Sequence, residues 1–189
     1  MDRQEISSFL QLPLPELISV ANNVRLKYAG SKLELCSIMN AKSGLCAQDC
    51  KFCAQSARHS TGIPTYPLKK KEEMIEAAKR AKDIGAERFD IVTSGNVLGK
   101  GELKIIADAI GEITSKVGIK MCASLGKMEE KGFSLLKEAG LTRYHHNLET
   151  SPNYFPNIAT THTFEERVDT IKAAKKVGLE VCSGGIIGM

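Results

Sequence analysis

Three cysteines that lie close together along the chain could hold a metal centre. Cys46, Cys50 and Cys53 have the spacing C-x3-C-x2-C, which brings three thiolates onto one short loop. An iron–sulfur cube normally takes four cysteine ligands, so three thiolates leave its fourth iron open to a small molecule. The spacing therefore predicts a [4Fe-4S] cluster with one open iron.

Zinc is the alternative that the spacing leaves open. Structural zinc takes four tetrahedral nitrogen and sulfur ligands, and His59 is close enough in sequence to be the fourth. Disulfides are disfavoured, because three is an odd number and nothing in the chain indicates secretion.

The composition is typical of one globular domain. The 189 residues are 42% hydrophobic and 25% charged, with a formal net charge of +4, ordinary values for a soluble protein. The only basic run, 69–71, precedes an expected helix start, which argues against nucleic-acid binding. Because neither a signal peptide nor an apolar run of about 20 residues is present, we expect a cytoplasmic protein without a membrane span. Reduced cysteines in that compartment favour a metal or catalytic role.

Strands and helices that would position the cysteines alternate along the chain. Strand patterns cover 33–39, 88–93, 119–124, 143–148 and 180–187, and helical patterns cover 13–30, 71–84, 102–117, 129–139 and 164–177. Such alternation predicts a parallel sheet with helices outside it. Gly85, Gly140 and Gly178 each follow a helical pattern, as expected of residues that end helices with a positive φ.

The fold class expected from this order is α/β, a partial (β/α)8 TIM-type barrel of about five strand–helix units. A complete barrel takes about 250 residues, and the apolar run that ends at Met189 resembles a cut through a strand. We therefore expect one incomplete barrel domain over 1–189, with an N-terminal helix at about 13–30 and barrel units from about 33. The alternative, an open doubly wound sheet, would need G-x-G-x-x-G after its first strand, where this chain has its cysteines.

Chemically unusual residues fall at the ends of the predicted strands or within them. In parallel barrels catalytic groups gather at the carboxyl ends of the strands. The residues at or near these positions, besides the cysteine triplet, are Thr93, Ser94, Gly95, Asn96, Cys122, Asn147, Glu149, Cys182, Gly184 and Gly185. Their shared location predicts one site.

Four sequence blocks resemble the biotin synthase family of radical S-adenosylmethionine (SAM) enzymes. The cysteine triplet with an aromatic residue before its last member resembles the signature of radical SAM enzymes in general. The stretches 144–152 (YHHNLETSP), 160–167 (TTHTFEER) and 181–186 (VCSGGI) resemble blocks of biotin synthases in particular, collinearly from about residue 33 to 189.

The resemblance implies a role for each matching residue. Cys46, Cys50 and Cys53 would hold the SAM-binding [4Fe-4S] cluster, and Cys122 and Cys182 would be ligands of an auxiliary iron–sulfur cluster of the [2Fe-2S] type or a variant. The remaining residues would contact SAM: Phe52 and Ile186 at the adenine, Thr93 near the methionine portion, Asn147 and Glu149 at the ribose, and Arg167 at the carboxylate. Asn147 would also lie near dethiobiotin.

Two positions depart from the family pattern. Biotin synthases usually have a third auxiliary-cluster cysteine in an R-F-C sequence, where this chain reads Arg88-Phe89-Asp90. A carboxylate is a harder ligand than a thiolate, so Asp90 is a possible ligand and the auxiliary cluster could be of another type or absent. Glu149 stands where aspartate is usual.

The implied activity is radical sulfur insertion, in which dethiobiotin becomes biotin. The resemblance also implies an electron donor such as flavodoxin or ferredoxin and a homodimer for the full-length protein. Two alternatives remain open: another radical SAM reaction without a sulfur-donating cluster, and a non-catalytic iron- or zinc-binding fragment.

Two structural expectations follow. Cys122 and Cys182 should face one cavity, if Met121 and Val181 point outward. The first and fifth strands should lack barrel neighbours, so that 1–189 alone would aggregate and would not make biotin.

Overall fold

The computed structural model describes residues 3–189, which form two compact units. The first unit ends at Glu34 and contains two helices, α1 (Arg3–Phe9) and α2 (Leu14–Ala29). Helix α2 confirms the predicted N-terminal helix, whereas α1 was not predicted. Pro15 is the second residue of α2, a position where its missing N–H interrupts no helical hydrogen bond.

The second unit, Leu35–Met189, contains the expected alternation of strands and helices. Its elements in order are β1 (Cys36–Lys42), α3 (Lys71–Asp83), β2 (Arg88–Thr93), α4 (Lys100–Lys116), β3 (Lys120–Ser124), α5 (Glu130–Glu138), β4 (Leu141–His145), α6 (Phe155–Ile158), α7 (Phe164–Lys176) and β5 (Glu180–Cys182). All five strands are parallel, in the order β1-β2-β3-β4-β5. This confirms the predicted α/β fold, a partial (β/α)8 arrangement. No helix in the range 3–189 is long and apolar enough to cross a membrane.

Three strands and one helix of this unit differ from the expectation. Strand β1 begins three residues later than predicted, β4 begins and ends earlier, β5 is short, and α6 was not predicted. Beyond β4 and β5 the two segments stay connected, since His146 N donates to Cys182 O (3.0 Å) and Ile186 N to Glu149 O (2.7 Å). Glu149 has a φ of 68°, which is incompatible with a regular strand. The strand therefore ends in a shaped loop.

The two faces of the sheet differ in chemistry because successive side chains of a strand point to opposite sides. The face beneath the helices is apolar and buried, with Phe89, Ile91, Met121, Ala123 and Tyr144 in one core. The opposite, concave face carries the alternate residues of each strand. Its members include Cys36, Arg88, Asp90, Cys122, Arg143, His145 and Cys182. Polar residues and thiols thus lie on the side where a barrel interior forms.

The glycines that were expected to end helices have positive φ angles. Gly85 has φ 86°, Gly140 has φ 110° and Gly178 has φ 78°. Each directs the chain from a helix into the following strand, and the strand ends then meet at one edge of the sheet.

Candidate metal centre

A cavity of about 250 Å³ opens at the carboxyl ends of the strands. Its walls include eight of the twelve residues that the family resemblance assigned to a site: Cys46, Cys50, Phe52, Cys53, Thr93, Asn147, Glu149 and Arg167. The fold thus brings together three sequence blocks that are separated by up to about a hundred residues.

The cysteine loop is held by hydrogen bonds to its own flanks. The Gln55 side-chain oxygen accepts from Gly44 N (2.6 Å) and Ser43 Oγ (3.2 Å). Cys46 N donates to Gln55 O (3.0 Å), and Cys53 N donates to Cys50 O (3.0 Å). Because these bonds use backbone groups and an amide, the three thiols are left to face the cavity.

Asp49, between the first two cysteines, ties the loop to the segment that precedes α7. Its carboxylate accepts from Thr160 N (2.9 Å), Thr161 N (3.2 Å), Thr161 Oγ1 (2.9 Å) and Thr160 Oγ1. The bonds from the Thr160 hydroxyl and backbone, then those from Thr161, hold the pKa of Asp49 well below its usual range. The carboxylate therefore stays ionised and fixes the loop against residues 160–161.

His59, the possible fourth zinc ligand, is directed elsewhere. Its Nε2 lies 3.0 Å from the carbonyl oxygen of Cys50. The His59 side chain lines a separate cavity, together with Gly44 and Thr65, rather than the one lined by the thiols. His59 therefore does not line the cavity that the three thiols line.

The three thiols offer the soft donors that an iron–sulfur cluster takes. Burial raises the pKa of the Cys50 thiol, Arg167 lowers it, and Cys53 and Cys46 raise it further, which places the three sulfur groups within electrostatic reach of one another. No group of three or more His, Cys, Asp or Glu side chains between residues 3 and 189 is arranged around one metal ion. The thiolates of a cubane bind separate irons, so they need only surround a cluster. This donor set therefore fits three corners of a [4Fe-4S] cube.

Arg167 is placed at the cavity wall by the start of α7. Thr163 caps that helix: its Oγ1 accepts from Glu166 N (3.2 Å), and its N–H donates to Glu166 Oε2 (2.9 Å), the reciprocal pair of a capping box. Arg167 Nη1 donates to Asn147 O (2.8 Å), and its Nε donates to His162 Nε2 (3.1 Å). Among residues 3–189, the hydrogen bonds of this guanidinium come from Nε and Nη1.

Glu149 and Asn147 line the same cavity as the cysteines. Glu149 Oε1 lies 3.6 Å from Arg167 Nη1, and the side-chain oxygen of Asn147 accepts from Gly184 N (3.2 Å). Burial raises the pKa of Glu149, while Arg167 and a hydrogen bond with Asn147 lower it. The carboxylate and guanidinium thus present opposite charges to the same cavity.

Several buried polar atoms in this cavity have no hydrogen-bond partner among residues 3–189. They include Thr93 Oγ1, Ser94 Oγ and His146 Nε2. Burial above all, and then Arg167, lower the pKa of His146 to about 4, so its ring is neutral near pH 7. Because buried polar groups in native proteins nearly always have partners, these atoms indicate a cavity suited to a polar ligand.

Four predicted site residues lie outside the lining of this cavity: Asp90, Cys122, Cys182 and Ile186. Ile186 is 45% exposed, and its assigned contact with adenine stays a prediction. Cys122 is fully buried, whereas Cys182 is exposed. Met121 and Val181 pack in the helix-side core, so both thiols lie on the concave face as expected.

Two residues of the concave face and the loop were missed by the sequence reasoning. Asp49 had no assigned role, although the pair Thr160-Thr161 offers the hydroxyls that it binds. Cys36 was placed inside a strand without a role. The number of cysteines could have drawn attention to it. Of the six, three form the triplet and two more were assigned to the auxiliary cluster, so Cys36 was the one cysteine without an assigned role.

Comparison with known sequences places these observations in a family. The Radical SAM superfamily profile matches residues 42–189. Curated relatives named biotin synthase include those of Thermotoga petrophila, 52% identical over 98% of this chain, and Clostridium perfringens, 48% identical over 100% of this chain. The aligned regions cover 61% and 59% of those two proteins, so the chain spans somewhat more than half the length of the relatives it matches.

Solved structures show the same fold. Methylornithine synthase superposes with a TM-score of 0.82 at 22% identity, covering 98% of this chain and 55% of that protein. The [FeFe]-hydrogenase maturase HydG from Carboxydothermus hydrogenoformans gives a TM-score of 0.78 at 20% identity, covering 94% of this chain and 42% of that protein.

Proposed function

The chain belongs to the radical SAM superfamily, whose members use a [4Fe-4S] cluster and SAM, and from that premise we propose that it performs the sulfur insertion that converts dethiobiotin to biotin. The observation that carries the proposal is the identity of about half of all residues with biotin synthases along the whole chain. The coincidence of the matching blocks at one cavity supports it.

Cys46, Cys50 and Cys53 would hold the cluster and leave its fourth iron facing the cavity. When bound, the reduced cluster and SAM together supply a 5′-deoxyadenosyl radical that removes hydrogen from unactivated carbon. The protein's part is to place reactants and exclude water. Asp49 contributes by fixing the thiolate loop against residues 160–161.

Arg167 would bind the carboxylate of SAM through its Nη2. Its other nitrogens are held by Asn147 O and His162 Nε2, so the guanidinium plane is set before SAM arrives. A fixed fork of donors suits two carboxylate oxygens. Glu149 would accept hydrogen bonds from the ribose hydroxyls, and Phe52, Thr93 and Ile186 would complete the pocket.

Dethiobiotin would lie between this cavity and the concave face, with Asn147 at the boundary. Cys122 and Cys182 would ligate the auxiliary cluster that donates sulfur. We also propose flavodoxin or ferredoxin as the electron donor, a homodimer as the assembly of the full-length protein, and a cytoplasmic location, without nucleic-acid or membrane partners.

The test is product analysis after anaerobic reconstitution with iron and sulfide. With dithionite, SAM and dethiobiotin, we expect 5′-deoxyadenosine and biotin from the chain extended beyond Met189 to the length of its relatives. Formation of 5′-deoxyadenosine that does not depend on dethiobiotin, with no biotin, would contradict the proposal.

A second candidate is a radical SAM reaction without a sulfur donor. The observation that favours it is Asp90, which stands at the usual cysteine position and contacts His145 Nδ1. This candidate predicts only one cluster per chain, whereas sulfur insertion predicts two. Iron and sulfide analysis separates the two.

A further inference from the structure

The concave face carries a second set of three cysteines. Cys122 and Cys182 belong to β3 and β5, and Cys36 is the first residue of β1. The residues of β1 whose side chains point toward the helices are Met39 and Ala41, which pack in the core. Because side chains alternate along a strand, Cys36 points to the concave side, as Cys122 and Cys182 do.

The register of the sheet places the three thiols along one diagonal. Cys36 pairs with Arg88, and Arg88 with Lys120, so Cys122 lies two residues further along β3. Cys122 pairs with Arg143, and Arg143 with Glu180, so Cys182 lies two residues further along β5. From Cys36 to Cys122, and again from Cys122 to Cys182, the position therefore shifts by two residues over two strands.

This diagonal is the stagger of a barrel layer. A (β/α)8 barrel has a shear of about eight residues over eight strands, or about one residue per strand. Side chains of one interior layer come from alternate strands. Cys36, Cys122 and Cys182 come from the first, third and fifth strands with that shift, so they belong to one layer of the interior.

The electrostatics of Cys122 agree with the placement that the register gives to Cys36. Burial above all, and then the charges of Asp90 and Cys36, raise the pKa of Cys122 to about 12, although Arg88 lowers it by its charge and by a hydrogen bond. The buried Arg88 guanidinium therefore lies against the thiol layer. A positive charge there offsets the thiolates that a cluster requires.

Neither buried oxygen of Asp90 has a hydrogen-bond partner among residues 3–189, and the contact of its carboxylate is an ion pair. The Asp90 carboxylate contacts His145 Nδ1 across the concave face. Asp90 belongs to β2, whereas the three thiols belong to the layer formed by the odd-numbered strands. Thiolates also suit iron–sulfur clusters better than carboxylates do.

We propose that Cys36 is the third thiolate ligand of the auxiliary iron–sulfur cluster, together with Cys122 and Cys182, and that Asp90 does not bind its iron. This inference rests on the proposed function, because it specifies the ligands of the sulfur-donating centre. Each thiol releases its proton when it binds iron, and Arg88 stabilises the resulting negative charge.

The test isolates the auxiliary site from the SAM site. A Cys46→Ala/Cys50→Ala/Cys53→Ala background removes the first cluster, so that any cluster formed on anaerobic reconstitution belongs to the concave face. Iron, sulfide and the absorption and Mössbauer spectra are then measured for this background and for three further variants in it. These are Cys36→Ala, Asp90→Asn and Ser37→Ala, the last being a control at the neighbouring position on the helix side.

We expect the background, Asp90→Asn and Ser37→Ala proteins to bind at least about two irons per chain, and Cys36→Ala to lose most of that iron. Full iron with an unchanged spectrum in Cys36→Ala would overturn the inference, as would loss of iron in Asp90→Asn but not in Cys36→Ala. A background protein that binds no iron, with all three concave-face thiols intact, would instead contradict the proposed sulfur insertion itself.

Cysteine alkylation gives a measurement that needs no variant of Cys36. In the background protein, iodoacetamide labelling read by peptide mass spectrometry should modify Cys36 and Cys182 readily before reconstitution, since both are exposed. After reconstitution we expect labelling of both to slow at least tenfold. Protection of Cys182 without protection of Cys36 would overturn the inference.

Discussion

Replacing Arg167 should weaken SAM binding more than any other single change outside the cysteines. The side chain is 13% exposed, and its Nε and Nη1 are held by His162 and Asn147. In Arg167→Ala, SAM would lose a charge-assisted hydrogen bond to its carboxylate, worth about 1.5–3 kcal/mol. The dissociation constant should therefore rise roughly 10- to 100-fold.

The same variant should also destabilise the protein itself. It removes the bond to the Asn147 carbonyl and leaves the nearly buried Glu149 carboxylate without the cation that lies 3.6 Å away. Because Glu149 already has a raised pKa, it can take up a proton, which limits the cost. We expect a loss of about 2–4 kcal/mol in the free energy of unfolding.

Two measurements separate these effects. Urea denaturation of the apoprotein gives the change in stability, and calorimetric titration of the reconstituted protein gives the affinity for SAM. Arg167→Lys keeps the charge without the fork of donors, so its affinity should fall between wild type and Arg167→Ala. Lys104→Ala is the control, because it removes an exposed cation paired with Asp108 and should change stability by less than about 1 kcal/mol. If Arg167→Ala loses stability but binds SAM within about twofold of wild type, the role assigned to Arg167 is wrong.

Three further predictions concern the cluster, the loop after β4 and the pH dependence. Cys50→Ala should lose about four irons per chain and all 5′-deoxyadenosine formation; a variant that keeps the cluster and cleaves SAM would refute the assignment. Gly185→Ala would place a Cβ 2.7 Å from Glu149 O and should cost about 1–3 kcal/mol in urea denaturation. Gly111→Ala, whose Cβ would meet Ala139 O at 3.7 Å, should be neutral or stabilising; equal losses in both would contradict the close approach. Burial lowers the pKa of His146 to about 4 from about 6.5 in the unfolded chain, so the unfolded state binds the extra proton first and stability should fall as pH drops from 6.5 to 4. His146→Gln should flatten that part of the profile, and an unchanged slope would show that His146 is not the group responsible.

The cavity at the strand ends could be predicted because its residues follow strands within short motifs. The cysteine triplet, Thr93 and the pair Asn147 and Glu149 each lie just past a strand or its irregular continuation. Parallel strands bring such positions to one edge whatever the loop lengths are. Alternation of elements therefore predicted that the cysteine triplet, Thr93, Asn147 and Glu149 share one edge, whereas Phe52 and Arg167 were assigned only through the family resemblance.

Contacts between distant loops could not be predicted in the same way. Asp49 and Thr160 are 111 positions apart, and neither residue type is specific for the other. The φ of 68° at Glu149 is likewise hidden, because glutamate has no preference for that region. These features arise from tertiary packing and not from local propensity.

Cys36 shows how strand register limits sequence reasoning. The pattern predicted β1 from residue 33, whereas the strand begins at Cys36 itself. The face to which a residue points is fixed only when the pairing is known, since a shift of one residue reverses it. The pairing of Cys36 with Arg88 is what places its thiol on the concave side.

An aspartate at position 90 in place of the usual cysteine does not by itself exclude a sulfur-donating centre on this face. Such a centre needs several soft ligands on the concave face and a cation to balance them, but it does not require that each ligand come from a particular strand. With Asp90 bound to His145, Cys36, Cys122 and Cys182 still provide three thiols in one layer, next to the buried Arg88. Without a cysteine on β2 the assigned ligands would be two, and with the proposed role of the cysteine at the start of β1 they would be three. The proposal therefore predicts that the number of thiols on this face, and not their positions in the sequence, decides whether the auxiliary cluster forms.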